Sequence, residues 1–218
     1  MDQKIDLKSL ERKAFRSTFQ DGLWDIYLGA LTLIGAINVS LPAELFDEYP
    51  WLQISLLLLL MLAAWLLFWA AKRFITVPRL GMVKFSSHRR KRGILLGLIM
   101  AGFLLFTLFV FLLTIGALKN PTIHDWVNAW LPGGRANGLV VGALAAGIVG
   151  FTILFIAAFS DFLRGYYIAV VMALGIFLTY ALDQPLFYYL AAVAIVVPGV
   201  VLLVRFLHSY PLQPGLEP

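Results

Sequence analysis

Six apolar runs, each long enough to cross a bilayer as a helix, constrain this chain more than any other feature. They lie at about residues 22–41, 51–71, 93–118, 138–159, 163–182 and 185–207. A hydrocarbon core of ~30 Å needs roughly 20 helical residues. Backbone groups in lipid must bond within their own segment, so runs like these are helices and not open strands. Composition agrees, because 61% of the 218 residues are hydrophobic and only 13% are charged. A soluble domain carries about 25% charged residues. The expected fold class is therefore all-α: a polytopic membrane bundle of six transmembrane helices in one domain.

The placement of Lys and Arg predicts orientation. Residues 1–21 contain Lys4, Lys8, Arg12, Lys13 and Arg16, and the loop 72–92 contains eight basic residues. Arg164 and Arg205 fall on the same side, with only Lys119 and Arg135 opposite. Basic residues concentrate on the cytoplasmic side of membrane proteins, which predicts cytoplasmic N and C termini in a cell inner (plasma) membrane. Segment 1–21 reads either as an interfacial amphipathic helix or as a plain solvated one, and 208–218 as a cytoplasmic tail. No cleavable leader is expected before the first run, which follows a polar, charged segment. Net charge is +5, but the basic residues stand beside apolar runs. Membrane lipid with anionic head groups is thus the expected partner, and nucleic acid is not. Arg89, Arg90, Lys91 and Arg92 are the candidate lipid contacts, with a pure topology signal as the alternative.

The first and fifth runs open alike. Phe19, Asp21, Leu23, Tyr27 and Gly35 recur at the same spacing as Phe159, Asp161, Leu163, Tyr167 and Gly175. Arg73-Phe74 before Pro78 is echoed by Arg205-Phe206 before Pro211. Hairpins 1–2 and 5–6 would then be parallel repeats about an axis along the membrane normal; chance identity in so biased a composition is the alternative. The phrases DGLWDIYLG, TVPRLGMVKF and RFLHSYPLQP resemble a family of prokaryotic six-span integral membrane proteins of uncharacterised activity. That resemblance implies a membrane bundle and supplies no substrate or site.

Asp21 and Asp161 each stand where a helix begins. One reading is helix capping, in which the carboxylate accepts from orphan backbone N–H groups. The other pairs each acid with the Arg closing its hairpin, Asp21 with Arg73 and Asp161 with Arg205. Asp25, one turn deeper, reads as a partner to a basic residue, part of a cytoplasmic vestibule, or an acid reaching water. Pro198-Gly199 is a candidate kink near the centre of the sixth run, or a broken helix offering free carbonyls to a ligand. Gly93 and Gly97 in the third run, and Gly138 and Gly142 in the fourth, form small-residue strips that predict close packing of those two helices or of a homo-oligomer. Gly175 is expected to be more tolerant of a large side chain than Gly97 or Gly142.

Reactive chemistry is sparse. With no cysteine, thiolate catalysis and Cys-ligated metals are excluded. His124-Asp125 has no nucleophile beside it in sequence and reads as part of a short interfacial helix. Catalytic, cofactor-binding and metal residues are therefore all expected to be none. No charged residue falls near the middle of a run, where proton relays and ion-coupled sites place theirs. The leading expectation is a non-enzymatic membrane-embedded binding or scaffold subunit, with a homo-oligomer or protein partner. The alternative is a channel or transporter for a small or hydrophobic solute.

Overall fold

The computed structural model describes residues 19–42, 50–80, Leu98, Gly102 and 135–211. Within these, every regular element is helical. Helix α1 covers Leu23–Ser40, and α2 covers Pro50–Ala71, running on through a π-helical segment, Lys72–Thr76, and a last turn, Val77–Leu80. Helix α3 is Arg135–Phe159, α4 is Leu163–Leu182 and α5 is Leu186–Ser209. All five are long and apolar enough to cross a membrane, which fits a multi-pass membrane protein. The third apolar run lies outside the described residues apart from Leu98 and Gly102. So do Arg89, Arg90, Lys91, Arg92, Gly93, Gly97 and His124-Asp125.

Five hydroxyls in these helices bond to their own backbones. The hydroxyls of Thr32, Ser40, Ser55, Thr152 and Thr179 each donate to the carbonyl four residues earlier. That habit satisfies a hydroxyl without a partner helix. Two tight links join α3, α4 and α5. Asp161 (φ 54°) turns the chain between α3 and α4, and Asp183 (φ 52°) closes α4. Asp is one of the few residues that tolerates this left-handed region. The Gln184 N–H then returns to the Thr179 carbonyl at 3.1 Å, and Pro185 precedes α5.

Helix α4 is the centre of the bundle. It packs on α3 along one side and α5 along the other, while α5 also packs on α1 and α1 carries α2 on its outer side. A core of Leu28, Ile153, Phe162, Ile168, Met172 and Ile195 fills the interior. Of the apolar window in α4, 44% is buried, against none in α2, so α2 lies at the edge of the described helices.

Small residues set the close contacts among the described helices, and one of the expected strips meets a helix that the sequence did not point to. A Cβ added at Gly138 would lie 2.5 Å from the Tyr180 carbonyl oxygen, and one at Gly142 would lie 2.9 Å from Tyr180 Cβ. The strip Gly138–Gly142 therefore faces α4, the next helix, while Gly93 and Gly97, its expected counterpart, lie outside the described residues. The short link at 160–162 forces α3 and α4 to lie side by side, so the first small-residue face available to α3 is used on α4. Gly175 is also no tolerant position, because a Cβ there would lie 2.5 Å from Ala191 Cβ.

The broken-helix reading of Pro198-Gly199 is likewise corrected. Helix α5 runs through Pro198 as one helix. Proline has no N–H to give the Ala194 carbonyl four residues back, and the Tyr167 hydroxyl donates to that carbonyl instead, at 3.1 Å. Gly199 lets α1 approach, since a Cβ there would lie 2.9 Å from both Asp25 Cβ and the Ile26 nitrogen.

Candidate functional site

The starts of α1 and α4 and the ends of α2 and α5 meet at one end of the bundle, where a buried ionic network ties the two hairpins together. Asp21 is 0% exposed. Its Oδ2 accepts from Lys72 Nζ at 2.7 Å and from Thr76 Oγ1 at 2.6 Å, and its Oδ1 accepts from the Leu23 N–H at 3.2 Å. Three donors, one of them a cation, offset the desolvation of this carboxylate, which alone would be costly. The π segment presents Lys72 and Thr76, four residues apart, to the same acid. Gly22 supplies the turn into α1 with φ 74°. A Cβ at Gly22 would lie 2.3 Å from the Gly199 carbonyl oxygen, so the acid is held where α1 and α5 touch.

Asp25 continues the network one turn along. It is 3% exposed. Its Oδ2 lies 3.3 Å from Arg164 Nη1, while its Oδ1 is buried and has no hydrogen-bond partner among the described residues. Arg164 reaches across from the first turn of α4, and its Nη2 donates to the Phe19 carbonyl. Aromatic rings wall the network. Phe19 stacks on Phe162 at 5.1 Å between centroids, and Phe68 packs 4.8 Å from both Trp24 and Tyr27. Lys72 Nζ stands 5.9 Å from the Phe68 centroid, where the ring face adds attraction to a desolvated cation.

The ion pairs among the described residues are Asp21–Lys72 and Asp25–Arg164; neither expected pair is among them. Asp21 takes Lys72, and the Arg73 guanidinium lies over the Trp69 ring at 5.4 Å. Successive helical residues point about 100° apart, so once Lys72 faces α1 its neighbour is turned away. Capping and pairing combine at Asp21, which precedes the N-cap Gly22 and still binds the Leu23 N–H. At α4 the N-cap is Phe162, with Asp161 before it. Asp161 lines a pocket of about 210 Å³ with Phe19, Gln20 and Arg164. Arg205 lines a second, larger one of about 480 Å³.

Lys72, Thr76 and Gln20 were not legible as site residues. The i, i+4 spacing of Lys72 and Thr76 was the available signal, but nothing in it names Asp21 as their target. Among the described residues no three His, Asp or Glu side chains gather as metal ligands. The arrangement can lock helix ends and present cations to an anion. No protein-family model, curated protein or solved structure matches the chain.

Proposed function

We propose that this chain is a non-enzymatic membrane-embedded binding or scaffold subunit, and one observation carries the reading. The middle of the bundle is packed with apolar side chains, whereas the buried ion pairs collect at one end. Leu28, Ile153, Ile168, Met172 and Ile195 interlock in the interior. Thr32 and Thr179, buried at that depth, spend their hydroxyls on their own helices. A solute pathway needs a polar or wetted lining through the bilayer, and these helices supply none between α1, α4 and α5.

On this reading the charged end is cytoplasmic, both termini lie there, and the third apolar run completes six spans in a cell inner membrane. The run Arg89, Arg90, Lys91 and Arg92 lies against anionic lipid on the same face. The spacing shared by hairpins 1–2 and 5–6 supports a repeat.

Flux through reconstituted vesicles tests it. Proteoliposomes loaded with monovalent ions, protons or small uncharged solutes should leak no faster than protein-free vesicles. Saturable flux that tracks the amount of protein would overturn the scaffold reading in favour of a channel or transporter.

A further inference from the structure

The larger pocket at the charged end has the chemistry of an anion site. It opens between the segment before α1, the first turn of α4 and the last turns of α5. Arg205 and Arg164 supply two guanidinium groups, and Gln20, Ser209 and Tyr210 supply neutral donors. Leu202 and Phe206 form an apolar floor. The two cations differ in role. Arg164 is committed to Asp25 and the Phe19 carbonyl, so it is held in place and largely neutralised. Arg205 is exposed and has no ion pair among the described residues. Asp161 lines the neighbouring smaller pocket and not this one. The local balance at the pocket is therefore positive.

We propose that this pocket binds a phosphate group presented by an anionic membrane lipid, with Arg205 as its charged ligand. A guanidinium fork matches phosphate oxygens in geometry as well as charge. Ser209, Tyr210 and Gln20 donate to the remaining oxygens, and Arg164, already paired with Asp25, forms a fixed wall. The site lies where long apolar helices end, at the depth of a lipid phosphate, and Leu202 and Phe206 border the adjoining glycerol and upper acyl carbons. The proposal rests on the membrane-embedded binding reading but fails separately from it: flux tests the one, and head-group binding the other.

The test uses the full chain in a neutral detergent, titrated with dioctanoyl phosphatidylglycerol, with dioctanoyl phosphatidylcholine as control and binding followed by native mass spectrometry. Wild type should prefer the anionic lipid. Arg205→Gln should weaken that binding about five- to tenfold, within the range for one net hydrogen bond lost at an exposed site, and Arg205→Lys should recover part of it. Arg73→Gln, the same charge loss at the same end but over Trp69, should leave affinity unchanged. Ser209→Leu narrows the pocket without touching a charge and should weaken binding as Arg205→Gln does, which provides a second reading if Arg205→Gln does not fold. Inorganic phosphate that displaces the lipid at equal concentration would keep the pocket and move its ligand into solution. Equal losses in Arg205→Gln and Arg73→Gln would reduce the effect to general surface charge and overturn the site. So would binding lost on neutralising Arg89, Arg90, Lys91 and Arg92 but retained in Arg205→Gln and Ser209→Leu.

Discussion

The hairpins α1–α2 and α4–α5 open on the same spaced residues, yet those residues do different work in each. Asp21 is buried and gathers Lys72, Thr76 and the Leu23 N–H, while Asp161 is half-exposed, turns the chain with positive φ and lines a pocket. Tyr27 packs its ring against Phe68, whereas Tyr167 lends its hydroxyl to the carbonyl that Pro198 leaves open. Gly35 makes room for the Tyr188 side chain, and Gly175 for Ala191. Position in the bundle explains the contrast. Hairpin α1–α2 has no proline in the middle of either helix, so Tyr27 meets no orphan carbonyl. Hairpin α4–α5 is central and contains a proline, so its tyrosine is needed. Similar sequence sets similar helix starts, and the neighbours decide what each side chain does there.

The sharpest way to break this contrast is to remove the two acids in turn. Asp21→Asn would take away the carboxylate that the Lys72 ammonium, only 17% exposed, meets at 2.7 Å. Removing one partner of a buried pair costs about 3 kcal/mol or more, and melting in detergent should fall accordingly. Asp161→Asn keeps a residue that tolerates left-handed backbone and changes a half-exposed group, for a loss below about 1 kcal/mol. Equal losses would mean that the two helix starts are equivalent after all.

Glycine substitutions rank next. Gly142→Leu and Gly175→Leu should each cost about 2–3 kcal/mol, the range for overpacking a filled contact. Both positions meet a neighbouring helix within 3 Å of an added Cβ, whereas Gly147 meets nothing within 4 Å. Gly147→Leu should therefore melt like wild type. A Gly175→Leu protein with wild-type melting would contradict the α4–α5 contact.

The smallest effect isolates the tyrosines. Tyr167→Phe strips the donor from the Ala194 carbonyl and should cost about 0.5–1 kcal/mol, the size measured for hydrogen bonds inside membrane proteins. Tyr27→Phe should be silent, because its hydroxyl makes no hydrogen bond among the described residues. Hydrogen exchange at the backbone around 194–199 should rise only in the first variant. A rise in neither would mean that α5 satisfies Ala194 by another route.

Apolar run length and the composition of each segment were enough to mark where α1 to α5 lie, because a helix in lipid must satisfy its own backbone and needs no partner to do so. The importance of Asp21 and Asp25 was legible for a related reason: a carboxylate beside an apolar run is costly and must be compensated. Which groups compensate it was not legible. Lys72 and Arg73 are adjacent and equally charged, and the choice between them depends on the rotation of α2 about its axis, which only packing against α1 sets. The partner of the Gly138–Gly142 strip was undetermined in the same way, since small residues allow close approach without naming the helix that approaches. Tyr167 and Ala194 stand 27 residues apart, and nothing local relates them. Backbone self-sufficiency makes each helix a property of its own segment, whereas ion pairs, glycine contacts and the cover over Pro198 belong to pairs of helices and exist only once the bundle has closed.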